Sequence, residues 1–133
     1  MALADEIQTT LATNTGVLAA FGITSGSAPI YPVRPPAAAQ FPFVVWNIVS
    51  SNPEEIHVGP AGLDSTLLQF ATLAQDFTTG NAIRKAIRAA LDGQKLSGGE
   101  PVTIIGERDL TQPTIDAYNL ILEAHVMRDA LAT

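Results

Sequence analysis

The chain has 133 residues, of which 47% are hydrophobic, and its formal net charge at pH 7 is −6. This length and composition predict a single globular domain over residues 1–133 and exclude a disordered chain. The absence of cysteine excludes disulfides, zinc–thiolate sites and thiol catalysis, and the acidic balance argues against tight binding to DNA, because neutralising phosphates requires clustered Lys and Arg.

The first third of the chain predicts helix followed by an extended arm. Apolar residues recur at helical spacing over residues 3–13, and residues 17–21 predict one further helical turn. Ile30 and Tyr31 predict a short edge strand. The prolines that follow, up to Pro42, keep the chain extended, because proline fixes φ and cannot donate a backbone hydrogen bond.

The middle of the chain predicts two strands joined by a polar loop. The two strands are residues 43–50 and residues 65–75, and both are apolar on both faces. Trp46, in the first strand, is a predicted core residue. We therefore expect helices to cover one face of the sheet and a second layer, such as a neighbouring subunit, to cover the other. Residues 51–64 contain two prolines and two glycines and are too long for a simple hairpin, so they predict a mobile or functional loop.

The last third predicts a helix, a short strand and one element of undecided type. The helix is expected to begin at a cap formed by Asp76 or one of the threonines that follow it, and to end at Gly93. Residues 102–105 predict a short strand. For residues 118–128 the spacing of apolar residues favours strand and helix equally.

Two groups of charged residues are predicted to be solvated. Arg84, Lys85 and Arg88 lie late in the predicted helix, where cations interact favourably with the helix dipole, and predict a solvated helix face. Residues 107–109 form a charged triplet, which predicts a solvated turn with local ion pairing.

No constellation in the sequence predicts catalysis, a metal site or a cofactor. The serines near Ser25 lack the Gly-x-Ser-x-Gly elbow, and no glycine-containing loop continues into Gly-Lys-Ser/Thr. Glu54 and Glu55 are adjacent, so their carboxylates point apart on an extended chain. His57 and His125 have no compact acidic cluster beside them and are predicted to be solvated or sheet-surface groups. We therefore expect a protein that is not an enzyme and that acts through its shape and interfaces.

The order of these elements resembles the tail completion, or tail terminator, proteins of long-tailed bacteriophages and prophages over most of the chain. The segments that carry the resemblance are the N-terminal helix, the arm Ile30-Tyr31-Pro32 with Pro36, the opening Phe41-Pro42-Phe43 of the main strand, the strand through Gln69, and the helix with Arg88-Ala89-Ala90-Leu91.

The resemblance implies an α/β or α+β fold, with a single mixed or antiparallel sheet of about four to five strands and helices packed on it. It implies a structural virion protein that caps the tail tube as an oligomeric ring, expected to be a hexamer, and joins it to the head connector. The implied partners are other copies of the chain, the tail tube protein and the head connector or stopper protein. DNA would pass nearby without tight binding, and no membrane is involved. The implied location is the head-proximal end of the virion tail, with the host cytoplasm as the place of assembly.

Two alternatives stay open at this point: another head–tail connector component, such as a stopper or adaptor, and a small-ligand-binding α+β domain. For the ring, the polar loop and the basic helix face supply the candidate interface residues. These are Asn52, Glu54, Glu55, His57, Gly59, Arg84 and Arg88.

Overall fold

The computed structural model of the protein describes residues 3–24, 26–37, 39–53, 63–94, 102–112 and 117–129. In chain order these residues form α1 (Leu3–Thr13), α2 (Thr15–Phe21), β1 (Ile30–Pro32), β2 (Phe43–Pro53), β3 (Leu63–Ala74), α3 (Phe77–Leu91), β4 (Thr103–Gln112) and β5 (Ala117–Asp129). The strands form one sheet in the order β1-β2-β3-β5-β4. Strand β1 runs parallel to β2, and all other neighbours are antiparallel. The predicted fold, a single mixed sheet with helices packed on it, is confirmed.

Helices α1, α2 and α3 pack on the same face of the sheet and build the core there. The helices contribute fully buried aliphatic side chains, which contact the inward side chains of the central strands. Each such side chain stabilises the fold by about 1.5–3 kcal/mol through removal of apolar surface from water. The cluster includes Ile7, Leu11, Val17, Ile83, Ile87 and Leu91 from the helices and Val44, Trp46, Leu68, Phe70, Leu122 and Val126 from the sheet.

Short polar side chains set the starts of the second and third helices. The Asn14 side chain accepts a hydrogen bond from the backbone N–H of Val17 at 3.1 Å, so α2 begins directly after α1 ends. Asp76 Oδ2 accepts from the N–H of Thr79 at 3.0 Å and caps α3. These bonds satisfy N–H groups that have no partner within the helix. The bounds predicted for α1 and the Asp76 cap are confirmed.

Trp46 links three elements of the core, as predicted for a core residue. It is 2% exposed, and its ring stacks on Phe70 with the centroids 6.1 Å apart. Its indole N–H donates to Gln8 Oε1 at 2.8 Å, and the Gln8 amide donates in turn to the carbonyl of Ile30 at 2.7 Å. The polar atom of the buried indole is therefore satisfied, and α1 is fixed to both β1 and β2.

Strands β2 and β3 extend further than the sequence predicts. The expected loop over residues 51–64 is wrong at both ends, because β2 continues to Pro53 and β3 begins at Leu63. Asn52 pairs with Ser65, and Pro53 with Asp64. Cross-strand pairing outweighs the low β-propensity of Ser, Asn and Pro at this end of the sheet. The rest of the predicted loop, residues 54–62, lies outside the described residues.

The C-terminal element, for which the sequence favours strand and helix equally, is a strand. β5 pairs with β3 along one side and with β4 along the other. Hydrogen bonding on both sides overrides the helix propensity of its Leu, Ala and Met residues. Strand β4 is also longer than the predicted residues 102–105, since it runs through the charged triplet as far as Gln112.

The opposite face of the sheet carries none of the helices in the described part of the chain. One row across this face, set by the strand register, consists of Tyr31, Val45, Ala71 and Ile121. Apolar residues therefore do lie on both faces, as the sequence indicates. The prediction that a neighbouring subunit covers this second face stays a prediction.

Gly80 allows α3 to approach the sheet closely. A Cβ atom at this position would lie 2.6 Å from Leu120 Cδ1 and 3.1 Å from Ala74 Cβ, and both of those side chains are buried. Contacts this short require the buried Leu120 side chain to repack, or the helix and the strand to shift apart.

Gly80→Ala should therefore lower the free energy of unfolding by about 1–2 kcal/mol, even though alanine is the better helix former. Gly106→Ala is the matched control, because a methyl group there would meet no heavy atom within 4 Å. Urea denaturation followed by circular dichroism gives both values. Equal stability of the two variants would contradict the close approach.

Trp46→Ala should lower the free energy of unfolding by about 3–5 kcal/mol, because it removes a buried ring and leaves the Gln8 amide without its partner. Gln8→Ala should cost less, about 1–3 kcal/mol, since the indole ring stays packed on Phe70. Thermal and urea unfolding measure both effects. A Trp46→Ala variant that keeps its thermal midpoint and loses only self-association would place Trp46 at an interface instead.

Candidate interaction surfaces

Exposed large hydrophobic side chains concentrate at the two edges of the sheet. Six such side chains are exposed among those that the structure describes, and four of them lie on or beside an edge strand. Val33, directly after β1, is 66% exposed, and Ile105 on β4 is 55% exposed. Ile48 and Val49, on β2, are 44% and 49% exposed. Apolar groups at sheet edges make these positions candidates for contact with another molecule.

One edge of the sheet is open because β1 is short. β1 pairs only with residues 44–46 of β2. The last backbone bond along this edge joins the N–H of Val33 to the carbonyl of Trp46 at 2.9 Å. Val33 then adopts a positive φ of 69°, and the N–H of Arg34 turns back to the carbonyl of Pro32 at 2.8 Å. The chain leaves the sheet at this turn, so residues 47–53 of β2 have no described strand on that side.

The other edge of the sheet is β4. This strand pairs with β5 on one side, and on its other side the described residues place no strand. The register is irregular at both open edges, between Ile48 and Ser50 on the open stretch of β2 and between Ile104 and Gly106 on β4. The residues at these two bulges are Val49 and Ile105, which are both β-branched, apolar and about half exposed.

An apolar pocket lies where β1 ends. Its volume is about 210 Å³, and its lining consists of Pro32, Val33, Trp46, Asn47 and Ile48. An apolar cavity of about 150 Å³ holds a group the size of benzene, so this pocket has room for one branched or aromatic side chain. A second pocket, of about 120 Å³, lies at the start of α3 beside Pro42 and Asp76.

Arg84 is buried between α3 and β4, where it makes a cluster of polar contacts. Its guanidinium donates to Asp109 Oδ1 at 2.5 Å, to Asn81 Oδ1 at 3.0 Å and to the carbonyl of Arg108 at 3.3 Å. Glu107 lies 4.0 Å from its Nε. The side chain is thus compensated by two carboxylates from the strand that it faces, which makes its burial tolerable.

The charged triplet of β4 is paired within the chain. Glu107 lies 3.4 Å from Arg88, and Arg108 lies 3.8 Å from Glu123 on β5. The prediction of a turn here is wrong, because these residues form a strand whose alternate side chains face α3 and the outer face of the sheet. The predicted solvent exposure and ion pairing are confirmed, since all three residues are exposed and paired. The predicted solvated helix face is also wrong at Arg84, which is 6% exposed, although Lys85 and Arg88 are exposed.

The candidate interface residues fall into three groups. Arg84 and Arg88 lie together on α3 and contact β4. Asn52 lies on β2, which two strands separate from β4. The residues outside the described part of the chain are Glu54, Glu55, His57 and Gly59. An interface role for each of the seven stays a prediction.

The exposed apolar residues at the sheet edges are not among the seven interface residues predicted from the sequence. A signal for them is present in the sequence: Ile48-Val49 and Ile104-Ile105 are pairs of adjacent apolar residues, which break the alternation of a half-buried strand. Within the described residues, no three His, Asp or Glu side chains gather as a metal site, and no helix there is long and apolar enough to cross a membrane.

Arg84→Ala should lower the free energy of unfolding by about 1–3 kcal/mol, because Glu107 and Asp109 lose their buried partner yet remain partly hydrated. Lys85→Ala, one residue away and exposed, should change it by about 0.5 kcal/mol or less. Chemical denaturation of the two variants measures the difference. Indistinguishable midpoints would show that the cluster does not hold β4 against α3.

Comparison with solved structures shows a fold shared with a virion component. One chain of a structure described as "Virion of native gene transfer agent (GTA) particle" superposes with a TM-score of 0.75. The match covers 96% of this chain and 94% of that chain at 16% sequence identity. No curated protein sequence matches the chain.

Comparison with protein families agrees with the resemblance seen in the order of the elements. The family described as "Tail completion protein gp17" matches residues 3–127, which is nearly the whole chain and includes every described helix and most of the sheet. The chain therefore belongs to the tail completion protein gp17 family.

Proposed function

We propose that the protein closes the head-proximal end of a phage tail tube as an oligomeric ring and joins it to the head connector. Membership of the tail completion family makes it a structural tail protein of a phage-like particle. The proposal goes beyond family membership in three respects. The protein forms a ring, the ring is a hexamer, and the ring contacts the tube protein on one side and the connector or stopper protein on the other.

The observation that carries the proposal is the concentration of exposed apolar side chains at both sheet edges. A monomeric protein generally protects its edges with charged residues or proline. Here Ile48, Val49 and Ile105 are exposed at the edges, beside the charged triplet of β4 and Pro53 of β2. A closed ring requires two different surfaces on each subunit, which meet head to tail. Two unlike edges at opposite sides of one sheet, each with exposed apolar side chains, suit that requirement.

The net charge of the chain suits a position on the path of DNA. At −6 per subunit, a ring would repel phosphate and allow DNA to pass without being held. The proposal includes neither tight binding of DNA nor contact with a membrane.

The two described pockets are smaller than typical ligand sites. Ligand sites usually have volumes of about 300–1,000 Å³. The pockets of about 210 and 120 Å³ lie below that range, so neither of them favours the small-ligand alternative. No particular observation favours a stopper or adaptor over a ring that closes the tube.

The polar segment after β2 is the proposed contact with the adjoining ring or tube. It follows the open end of β2 and contains Glu54, Glu55, His57 and Gly59, and Asn52 lies just before it. Loops at such positions commonly carry binding residues. Arg88, exposed on α3, is the proposed basic contribution to these contacts, and Arg84 would act by holding β4 in place.

Purified protein should form a ring of roughly six times the 14.0 kDa subunit mass, either in solution at high concentration or on tail tubes. Light scattering after size-exclusion chromatography measures the mass, and electron microscopy shows the ring. Tails produced without the protein should be abnormally long or fail to join heads, and addition of the purified protein should restore joining. A strictly monomeric protein that leaves such tails unchanged would contradict the proposal.

A further inference from the structure

We propose that copies of the chain join edge to edge, with β4 of one copy pairing antiparallel with residues 47–53 of β2 in the next. One sheet would then continue across each contact between subunits. This inference rests on the proposed function, since it names the surfaces by which the subunits of the ring meet.

The first argument is the supply of backbone groups at the two edges. The open stretch of β2 has seven residues, and β4 has ten. In the described structure, each has a sheet partner on one side only. Addition of a strand to such an edge gives a series of main-chain hydrogen bonds, and adjacent side chains supply specificity.

The second argument is strand direction. β2, β3, β5 and β4 are successive antiparallel neighbours, so β2 and β4 of one chain point in opposite directions. Subunits that repeat side by side around a ring keep this order. The β4 edge of one copy then meets an antiparallel β2 edge on the next, which is the more stable kind of strand pairing.

The third argument is charge. Residues 47–53 carry no charge. Against β2, the charged triplet of β4 therefore meets neutral residues, so no like charges are placed opposite each other. The triplet also keeps its ion pairs with Arg84, Arg88 and Glu123.

The fourth argument concerns the two bulges. A bulge at a sheet edge bends the strand and re-aims a side chain. The side chains at the two bulges, Val49 and Ile105, are apolar and about half exposed. Both would lose contact with water if the two edges met, which would stabilise the contact through burial of apolar surface.

The test uses Val49→Lys and Ile105→Lys, each of which places a charge on one edge and leaves the other edge intact. Each variant alone should lose self-association by about tenfold or more. An equimolar mixture should form heterodimers and stop there, because only one productive contact remains. Ala89→Lys, on the exposed surface of α3, is the control with the same change of charge and should assemble like the wild type.

Light scattering and native mass spectrometry of the single variants and the mixture give the result, with circular dichroism to confirm folding. Assembly of Val49→Lys like the wild type would overturn the edge contact and leave the proposed ring standing. Loss of assembly in Ile105→Lys alone, with no heterodimer in the mixture, would show that β4 pairs with itself and would also overturn it. A wild-type protein that never associates, even on tail tubes, would remove the proposed function itself.

A second measurement covers the case in which a lysine variant fails to fold. The chain contains no cysteine, so Val49→Cys and Ile105→Cys each introduce a single thiol. A mixture of the two treated with a bifunctional maleimide should yield mainly crosslinked heterodimers, and Ala89→Cys mixed with either should yield few. Predominance of crosslinked homodimers would overturn the inference.

Discussion

The organisation of this protein depends on one constraint, which is that each backbone N–H and C=O of a sheet needs a hydrogen-bond partner. In the described structure, that requirement is met on both sides along residues 64–73 of β3, except opposite the bulge of β2, and along residues 118–125 of β5. These two strands can therefore be the most apolar part of the sheet, and their inward side chains form the floor on which α3 lies. β2 meets the requirement on its second side for three residues only, and β4 has a described partner on one side. The backbone groups left without a described strand partner lie at the two edges, where exposed apolar side chains also occur.

The edge strand β4 is held by ion pairs as well as by burial. Its first residues contribute to the core through Ile104, but the triplet that follows is charged. Arg84 reaches from α3 to Asp109 and Glu107, and Arg88 adds a second contact with Glu107. The strand is thus fixed to a capped helix that packs on β3 and β5. A rigid edge loses less entropy on pairing than a mobile one, so the cluster favours strand addition without taking part in it.

The sequence predicts the elements that have a local cause. α1 follows from apolar spacing, α3 from its Asp76 cap, and β2 from the proline that precedes a β-prone run. The sequence is a poorer guide where contacts with residues far along the chain determine the secondary structure or the burial of a residue. β5 has the composition of a helix and is a strand because β3 and β4 flank it. Arg84 has the spacing of a solvated cation and is buried because β4, more than twenty residues later, crosses α3. Ile48, Val49 and Ile105 belong to adjacent apolar pairs in the sequence, but only the sheet order shows that they lie at its open edges.

Val33 shows why the open stretch of β2 is a specified feature of the fold. A β-branched residue at φ 69° is strained, at a cost on the order of 1–3 kcal/mol. The same residue donates the last backbone bond to Trp46, which partly offsets that strain. The turn directs the chain away from β2 at Arg34, and Pro35 and Pro36 follow, which cannot donate to a strand ladder. An apolar pocket and the described open side of β2 lie next to this turn. The end of β1 is therefore set twice, by the backbone turn at Val33 and by the prolines after it.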